Sequence, residues 1–539
     1  MKMKRIVILG ITALTTLFAM AQNKATVNVS GDITANRTFY KDTIYVLSGL
    51  VYVKNNATLT IEAGTVVKGG LAPDNSNATA LVIDKTGKIN AIGTATDPII
   101  FTSNKDAGKR EFGDWGGIVF FGEAPTNKID PQYENGVIPG TYGGNNPTHN
   151  QGTIKYARIE FAGYPFEANR ELNSLTLCGV GSGTTLSYIQ CSYNNDDAFE
   201  WFGGTVNLDH IIAYRTNDDD FDVDFGYSGK VQFGVSLSDS GIADVSTKNG
   251  FEIDNDANGS TQGPLTSAVF SNMTIIGAYY NKSFYDQTGL HGRGAHIRRN
   301  SSVSIFNSAW LGWKEGIRMD GSNTLNKYLT DSATLANNVF AGNLTQFTVA
   351  GGADANLFTT YVANPANMNR ELDEVSDAML MDPYNYNAPN FTPSAGSPLL
   401  TGAGFVNGKL AGFTQTTYVG AFGQNDTWAQ GWTEFNPVNA NYDLLNSVGK
   451  VENVANLNVY PNPTTESVTV AFDLTYSTEV SVEVMDLTGK IVANPLVNSF
   501  MDGGAQSLTA DLSALNNGVF FVVIKTAEGV QSTKVVVSR

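Results

Sequence analysis

A repeat of 22 residues in the middle of the chain is the feature that most constrains its fold. The run Leu186–Cys191 and the acidic block after it recur 22 positions later as Leu208–Ala213 and a second acidic block. Repeats near this length indicate a solenoid, in which each repeat stacks on the last. Because the apolar runs are short and alternating, with little helical periodicity, the repeats predict an all-β solenoid, a β-helix with parallel strands.

Composition agrees with a turn-rich β protein. The 539 residues include 55 Gly and only 16% charged residues, while the hydrophobic fraction of 42% is enough for a core. These values argue against a coiled coil, a helical enzyme or a disordered chain. The 51 Asp and Glu residues outnumber the 34 Lys and Arg residues, which gives a net charge of −17. This balance argues against nucleic-acid binding and permits divalent cations.

The N-terminus has the pattern of a signal peptide over residues 1–21. Lys2, Lys4 and Arg5 precede the apolar run Ile6–Phe18, and Ala19–Ala21 supplies an A-x-A cleavage site. The apolar run is too short for a transmembrane anchor, and no later segment is long and apolar enough to span a membrane. No cysteine stands at the cleavage site for a lipid anchor. We therefore expect an exported protein without a transmembrane segment.

The solenoid is expected to occupy residues 22–445, including a cap at its C-terminal end. Prolines that interrupt strand pairing become frequent after about residue 380, which marks the approach to this cap. A cap is needed because the last coil would otherwise expose an open edge. Insertions near residues 123–150 and 278–300 are expected to form loops on one side of the coil. A linker is expected at residues 446–455.

A different module is expected over residues 456–539. About seven short alternating strands in this segment have the size and pattern of a small, Ig-like β-sandwich. The segment carries a series of short motifs, which include Tyr460, Pro461, Asn462 and Pro463, then Gly489 and Lys490, Gly518, and Lys534 near the end. With these motifs in order, it closely resembles the C-terminal sorting domain of the type IX secretion system of Bacteroidetes.

This resemblance implies that the tail is a secretion address read by the type IX machinery. Such domains are usually removed after the cargo crosses the outer membrane, and the cargo is then released or attached to surface lipopolysaccharide. The expected location is therefore outside the cell or on its outer surface. An ordinary Ig-like binding module is the alternative interpretation of the same strands.

The body of the chain also resembles a known group, through Asn56–Thr65, Gly113–Ile118 and Asn195–Glu200. These segments are similar to those of secreted Bacteroidetes surface proteins with a right-handed parallel β-helix. The wider superfamily is similar to pectate lyases and polygalacturonases. The resemblance implies the fold and leaves the activity open.

An acidic block between Asn194 and Asp256 is the strongest local signal, with 14 Asp and Glu residues against 3 Lys and Arg. Stacked coils would bring these carboxylates together and raise their pKa values. A hard cation with oxygen ligands removes this repulsion, so the block predicts bound Ca²⁺. The first predicted ligand set is Asp196, Asp197, Asp218, Asp219 and Asp220, and the second is Asp222, Asp224, Asp254 and Asp256. Solvated turn residues are the alternative interpretation, since Asp favours turns.

Catalysis by a polysaccharide lyase or glycoside hydrolase is a further alternative. Hydrolysis needs two carboxylates, and Asp196–Asp197 or Asp218–Asp219 offers a pair. The candidate basic groups on later coils are His291, Arg293, Arg298, Lys314 and Arg318. His291 is expected in a loop, and His296 at the surface or in a turn.

Aromatic side chains suggest where a glycan would bind. Trp115, Trp201 and Tyr227 are candidate platforms for sugar rings, although any one of them has a core position as its alternative. The leading hypothesis is a non-catalytic glycan- or surface-binding protein with structural calcium. The alternatives are an enzyme on the same scaffold and a purely structural stalk. A cleft with converging carboxylates would favour the enzyme.

Overall fold

The structure is a computed structural model that describes residues 24–70, 79–128, 131–133, 137–167, 170–283, 286–443, 453–486, 490–526 and 529–539. It forms two compact units, one spanning Ala25–Asn441 and the other containing Tyr442–Arg539. The expected signal peptide, Gly489 and most of the expected linker lie outside the described residues. The domain boundaries therefore stay predictions.

The first unit is a coil of parallel strands. Its larger sheet, here called the wide sheet, has 17 strands among the described residues. These are β1 (Ala25–Ser30), β2 (Arg37–Phe39), β3 (Thr43–Ser48), β5 (Thr58–Ile61), β6 (Val66–Gly69), β8 (Lys88–Ile92), β9 (Ile99–Ser103), β11 (Gly152–Glu160), β15 (Thr185–Ser192), β17 (Asn207–Tyr214), β19 (Lys230–Leu237), β21 (Val269–Ile276), β23 (Ser304–Phe306), β24 (Ala309–Leu311), β26 (Leu335–Ala336), β27 (Val339–Ala341) and β29 (Arg370–Leu372).

The second parallel sheet, here called the narrow sheet, closes the coil on another side. The narrow sheet has 10 strands in the part of the chain that the structure describes. Their order along the coil axis is their order in the sequence. These are β4 (Leu50–Val53), β7 (Ala80–Ile83), β10 (Ile118–Phe121), β14 (Leu175–Val180), β16 (Phe199–Gly204), β18 (Phe221–Asp224), β20 (Phe251–Ile253), β22 (Arg293–Ile297), β25 (Glu315–Asp320) and β28 (Thr345–Ala350).

The 22-residue repeat is one turn of this coil. Strands β15 and β17 pair in parallel with Leu186 opposite Leu208 and Ile189 opposite Ile211. Both isoleucines are fully buried, as an inward ladder requires. The sequence prediction of a parallel β-helix is confirmed, because a repeat of one full turn places each apolar residue on its counterpart.

The wide sheet bends along a column of residues in the left-handed backbone region. The column, here called the corner ladder, has φ values between 51° and 61°. Its members are Tyr156, Tyr188, His210, Phe233, Asn272, Asn307 and Asn337. Asparagine tolerates this backbone region well, whereas aromatic residues do so at a cost that stacking can offset. The rings of Tyr156 and Tyr188 and those of Tyr188 and His210 lie 4.3 Å apart.

Short helices cover the C-terminal part of the coil interior. Helix α1 (Ser322–Leu329) and helix α2 (Ala355–Val362) follow the last narrow-sheet strands. The Asp354 side chain caps α2 by accepting from the Leu357 N–H at 3.0 Å. Phe358 and Val362 on α2 join the main core. Two small antiparallel pairs, β12 (Pro165–Glu167) with β13 (Arg170–Glu171) and β30 (Leu380–Asp382) with β31 (Asn390–Pro393), complete this unit.

The second unit is an antiparallel sandwich. One sheet contains β32 (Val454–Tyr460), β33 (Ser467–Leu474) and β36 (Gly504–Asp511), and the other contains β34 (Thr478–Met485), β35 (Ile491–Met501), β37 (Gly518–Thr526) and β38 (Gly529–Val537). Alternate residues of β33 and β34 are buried and form one core, which confirms the predicted Ig-like sandwich.

A search of the described helices finds none with the length and apolar character needed to cross a membrane.

Candidate functional site

The outer face of the narrow sheet carries a row of polar side chains. In β16, Phe199 and Trp201 point into the core, so Glu200 between them points outward. Parallel pairing continues this outward position from strand to strand. The resulting outer row is Glu200, Asp222, Glu252, His296, Arg318 and Thr348, with neighbours separated by about one strand spacing of 4.8 Å.

On the N-terminal side of Glu200, apolar side chains cover the outer face of the narrow sheet. Val119, Phe121 and Phe202 form a separate apolar cluster with Tyr133 and Tyr142 of the 123–150 insertion. This insertion therefore ends the outer row on one side and leaves the polar residues from Glu200 onward outside the covered part.

A ladder of side-chain oxygens runs along the turn that precedes the narrow sheet. The Asp197 N–H donates to Asn173 Oδ1 at 3.1 Å, and the Asp219 N–H donates to Asp197 Oδ1 at 2.9 Å. The Asn249 N–H then donates to Asp219 Oδ1 at 2.5 Å. We call Asn173, Asp197, Asp219 and Asn249 the turn ladder. The side chains of Asn173, Asp197 and Asp219 each accept a hydrogen bond from the backbone of the next coil, and Asn249 ends the series.

Five carboxylates gather where the turn ladder meets the outer row. Oxygens of Asp196, Asp197 and Asp218 lie within 4.8 Å of one another, and so do oxygens of Asp197, Glu200 and Asp222. These five residues are called the acidic cluster below. Asp197 belongs to both groups and stands at its centre.

Burial and mutual repulsion perturb these carboxyl groups. Burial raises the pKa of Asp197 well above its usual value, and the charges of Asp196 and Asp222 add to the effect. Burial does the same to Asp222, whose pKa also rises well above 3.8. Burial raises the pKa of Asp218 to about 6, against the opposing hydrogen bond from Ser246. One buried oxygen, Asp222 Oδ1, has no hydrogen-bond partner. The carboxylates of the cluster therefore repel one another, and the charges of Arg298 and Lys248 oppose this effect at Asp222 and Asp218.

Asp219 and Asp220 of the first predicted set lie in other surroundings. Asp220 pairs with Lys248 at 2.9 Å, and both side chains are fully buried. The Lys248 ammonium also donates to Thr216 Oγ1 at 2.8 Å and to the Asp218 carbonyl at 2.7 Å, which uses all three of its N–H donors. Asp220 thus has an internal counterion and does not join the acidic cluster. Asp219 serves in the turn ladder, and burial raises its pKa well above the usual value.

Three members of the second predicted set, Asp224, Asp254 and Asp256, accept hydrogen bonds from neighbouring groups. Arg298 donates to both oxygens of Asp254 at 2.8 and 3.0 Å, and Arg299 donates to Asp254 at 2.6 Å. Asp256 accepts from the Asn258 and Ser260 backbones and from the Ser260 hydroxyl, which closes a turn.

The remaining two members of that set, Asp222 and Asp224, lie on the same face of β18, and the charge of Asp224 raises the pKa of Asp222. Asp224 accepts from the N–H of Phe225 at 2.6 Å. Asp222 also lies with Asp197 and Glu200 in the acidic cluster. The grouping of Asp222 with Asp224, Asp254 and Asp256 as one ligand set stays a prediction, and Asp222 is shared with the acidic cluster.

The three candidate aromatic platforms lie inside the coil. Trp115, Trp201 and Tyr227 are fully buried in the main core. Trp115 Nε1 donates to the Glu160 carbonyl and the Tyr227 hydroxyl donates to the Val206 carbonyl, both at 2.8 Å. These rings present no face to a ligand, and their interpretation as sugar platforms is corrected to a core role.

The two histidines of interest are both buried. His291, expected in a loop, forms an isolated bridge with Lys248 and is 1% exposed. His296, expected at the surface or in a turn, lies in strand β22 of the outer row with 7% exposure. Burial lowers the pKa of each imidazole to about 4, so both are neutral at neutral pH. His296 Nε2 lies 3.3 Å from Asp320 Oδ2.

The sorting motif in the second unit has a structural centre at Asn462. Its side chain accepts from the Val536 N–H at 2.9 Å and donates to the Lys534 carbonyl at 2.8 Å. This ties the first motif to the last strand of the unit. Tyr460 is 54% exposed beside it. The Lys490 N–H donates to Asp486, and Gly518 begins β37.

Three residues around the acidic cluster and the turn ladder were not among the site residues predicted from the sequence. Glu200 could have been found, since the 22-residue repeat aligns it with Asp222. Asn173 donates to the Glu200 carboxylate and starts the turn ladder. Lys248 carries no local signal, because it reaches Asp220 from 28 residues away.

Family models match nearly the whole length of the chain. Residues 31–433 match the model described as a pectate-lyase-like beta helix domain. Residues 458–538 match the model described as a secretion system C-terminal sorting domain. A search of the curated proteins returns no match.

Two solved structures show distant likeness. The enzymatically active domain of tailspike protein 2 from bacteriophage CBA120 is 12% identical, with 96% of this chain and 72% of that chain covered and a TM-score of 0.24. An engineered protein is 13% identical, with 58% of this chain and 77% of that chain covered and a TM-score of 0.13. At these scores neither likeness carries an argument.

Proposed function

Because the chain belongs to the pectate-lyase-like β-helix family and carries a type IX sorting domain, we propose that it is an exported binding protein. In this proposal the acidic cluster holds Ca²⁺, and the outer row beside it binds glycans or other cell-surface material. The sorting domain indicates secretion to the cell surface or the exterior through the type IX machinery. The observation that carries the proposal is the close approach and mutual repulsion of the carboxylates around Asp197.

The turn ladder supplies an internal comparison that favours a cation. Asn173 occupies the same turn position as Asp197 and Asp219, and its amide oxygen accepts the same hydrogen bond as their carboxylate oxygens. The ladder alone therefore does not require a negative charge. At Asp197 the charge lies next to four other carboxylates, where it is costly without a counterion. A Ca²⁺ ion, which takes six to eight oxygen ligands, would make this charge favourable.

The part of the outer row beyond the cluster offers the surface for a ligand. Glu252, His296, Arg318 and Thr348 place carboxylate, imidazole, guanidinium and hydroxyl groups in register on adjacent strands. Within the chain these groups pair with Arg298, Asp320 and Glu315, so a ligand would share or replace those contacts. Such groups suit the hydroxyls of a sugar chain, which need both donors and acceptors. A cation at the end of the row would add ligand contacts through its free coordination positions.

Metal binding is tested first on the full chain. Metal content after dialysis and Ca²⁺ titration by calorimetry should give stoichiometric binding that Asp197→Asn weakens by more than about tenfold. The matched control is Asp42→Asn, which removes an exposed carboxylate far from Asp197 in the sequence. Equal affinity in the wild-type protein and in Asp197→Asn, or no binding at all, would refute the metal part of the proposal.

Glycan binding is tested separately, with an array of polysaccharides probed in the presence of Ca²⁺ and in EDTA. We expect binding that depends on Ca²⁺ and that Arg318→Ala reduces, because this side chain lies in the outer row. Binding that is absent under both conditions would leave the metal result standing and reject the glycan part.

A polysaccharide lyase or hydrolase is the second candidate, and His296 is the observation that favours it. The imidazole lies in the outer row 3.3 Å from Asp320 and is neutral, so it can accept a proton, although a pKa of about 4 makes it a weaker base than a general base working at neutral pH. Two observations disfavour the earlier candidates: Arg298 is held by Asp254 and Glu252, and the cluster oxygens lie within 4.8 Å, closer than the 6.5–9.5 Å of inverting enzymes. Release of unsaturated or reducing ends, lost in His296→Gln, would support an enzyme.

A further inference from the structure

A small pocket lies beside the turn at Gly312, which leads from the wide sheet to β25. Its volume is about 260 Å³, and it is lined by Tyr280, Val375, Ser376, Leu380, Pro383 and Tyr384. One wall belongs to the 278–300 insertion, and the other to residues 375–384, which follow β29. The volume is below the roughly 300–1,000 Å³ of sites for drug-sized ligands, so the pocket fits one small ring.

Two tyrosine rings form the aromatic part of the pocket. Their centroids lie 6.0 Å apart at an interplanar angle of 66°. Tyr280 is 48% exposed, so its ring is open to solvent. The Tyr384 hydroxyl lies over Gly312, where a Cβ atom would come within 2.8 Å of it. This hydroxyl is buried and has no hydrogen-bond partner among the described residues, a condition that is rare in folded proteins.

Polar groups flank the same pocket. Lys282 Nζ lies 3.9 Å from Glu374 Oε1, and the two side chains are 42% and 46% exposed. Lys282 follows Tyr280 by two residues and Glu374 directly precedes Val375, so each stands next to one wall. An exposed ion pair contributes little to stability, so a ligand can replace this contact at little cost.

A sugar ring matches this combination of groups. One face of a pyranose consists of C–H groups and packs on an aromatic ring, whereas its edge carries hydroxyls that donate and accept hydrogen bonds. A purely apolar occupant would take the polar groups of Lys282, Glu374 and Ser376 out of water without a hydrogen bond, which is unfavourable. The ammonium and the carboxylate balance each other in charge, which favours an uncharged sugar.

We propose that this pocket binds a single sugar residue of a neutral glycan, with Tyr280 as the stacking platform. The inference rests on the glycan part of the proposed function and adds a second contact site to it. The pocket shares no residue with the acidic cluster or the outer row, so its binding should not depend on Ca²⁺.

Saturation-transfer NMR on the full chain in EDTA tests the pocket. The probes are the methyl glycosides of glucose, galactose, mannose and N-acetylglucosamine, which carry no charge. At least one of them should bind, and Tyr280→Ala should weaken its affinity by more than about tenfold, because the ring face is lost. Tyr40→Ala is the matched control, since Tyr40 is 52% exposed and does not line the pocket.

A second variant, Ser376→Trp, tests the opposite wall. Ser376 is exposed and lines the pocket, so a larger side chain there fills the space without entering the core. This variant should abolish glycoside binding. Circular dichroism should show that all three variants melt close to the wild type, and if Tyr280→Ala or Ser376→Trp does not fold, the other decides.

The outcomes separate the pocket from the rest of the proposed function. Binding in EDTA that falls in Tyr280→Ala and Ser376→Trp and persists in Tyr40→Ala supports the pocket. Equal affinity in the wild type and Tyr280→Ala, or no binding of any of the glycosides, overturns it. Binding of N-acetylphenylalanine amide in place of the glycosides also overturns it, because the occupant would then be an apolar side chain. The Ca²⁺-dependent binding that Arg318→Ala reduces is measured separately, so it stands or falls by its own result.

Discussion

Replacement of Asp218 by asparagine should change stability in opposite directions with and without Ca²⁺. The side chain lies in the acidic cluster with Asp196 and Asp197 and accepts from the Ser246 hydroxyl at 2.7 Å. An asparagine oxygen keeps that hydrogen bond, so Asp218→Asn removes the charge with little change in shape.

The magnitude follows from the pKa of Asp218, which burial raises from 3.8 to about 6. As pH rises, the unfolded chain ionises first, so the cost to folding begins near pH 3.8 and is complete above about pH 6. At about 1.4 kcal/mol for each pH unit, the 2.2-unit difference corresponds to about 3 kcal/mol at neutral pH. In EDTA the variant should therefore be more stable than the wild type by about this amount.

In Ca²⁺ the order should reverse. The cation compensates the wild-type carboxylates, and the variant has one charged ligand fewer. Ligand linkage then raises the melting temperature of the wild type more than that of Asp218→Asn.

Tryptophan fluorescence is the suitable assay. All six tryptophans lie between Trp115 and Trp432, so the signal reports the coil and not the sandwich. Melting is followed at neutral pH in EDTA and in Ca²⁺, and again in EDTA near pH 3.8, where the two proteins should melt alike. Asp42→Asn should behave as the wild type throughout. Equal melting of Asp218→Asn and wild type in EDTA at neutral pH would refute the electrostatic reasoning, and an unchanged order in Ca²⁺ would refute the metal site.

Three further predictions concern the core and the tail. Lys248→Met should cost about 3–5 kcal/mol because it leaves Asp220 buried without a counterion, while Lys248→Met with Asp220→Leu should recover most of this loss; equal melting of the two variants would contradict the account. Trp201→Ala should cost about 3–5 kcal/mol by the same fluorescence melt and leave Ca²⁺ affinity unchanged, whereas weaker Ca²⁺ binding would point to a role beyond the core. Arg539→Ala should destabilise the sandwich by roughly 1 kcal/mol, because its guanidinium donates to the carbonyls of residues 512, 513 and 515; circular dichroism should show the change while the tryptophan signal does not.

The coil itself could be predicted because a fixed repeat length sets which residues of adjacent strands lie opposite each other. A repeat of 22 residues requires that Asp219 lie above Asp197, and the hydrogen bond from the Asp219 N–H to Asp197 Oδ1 has this register. Apolar alternation then orients the strands, as seen for Ile189 and Ile211. The short alternating strands of the tail predicted the sandwich, and its motifs carried the resemblance to a sorting domain.

The counterions could not be predicted from composition. The net charge gives the excess of acidic over basic residues. It does not say which carboxylates are paired with a basic residue. Lys248 reaches Asp220 from 28 residues away and Arg298 reaches Asp254 from 44 residues away, after insertions of irregular length. The repeat gives no register for such coils, so the paired and unpaired acids look alike in sequence.

The burial of Trp201 was predictable in principle. Residues 199–204 form one strand, in which Phe199 and Trp201 share a side and Glu200 takes the other. A charged residue belongs outside the coil, so the tryptophan must be inside. His296 offered no such signal, since its strand follows a long insertion that hides its register with Glu252 and Arg318.

The turn ladder also bears on how such coils diversify. Asparagine and aspartate codons differ by a single base, and both side chains hold the next coil by the same hydrogen bond. A charge can therefore be gained or lost at any step of the ladder while the backbone remains in place. A cation site of the kind proposed here can thus arise, move along the axis or disappear through single substitutions. Each intermediate sequence keeps the fold.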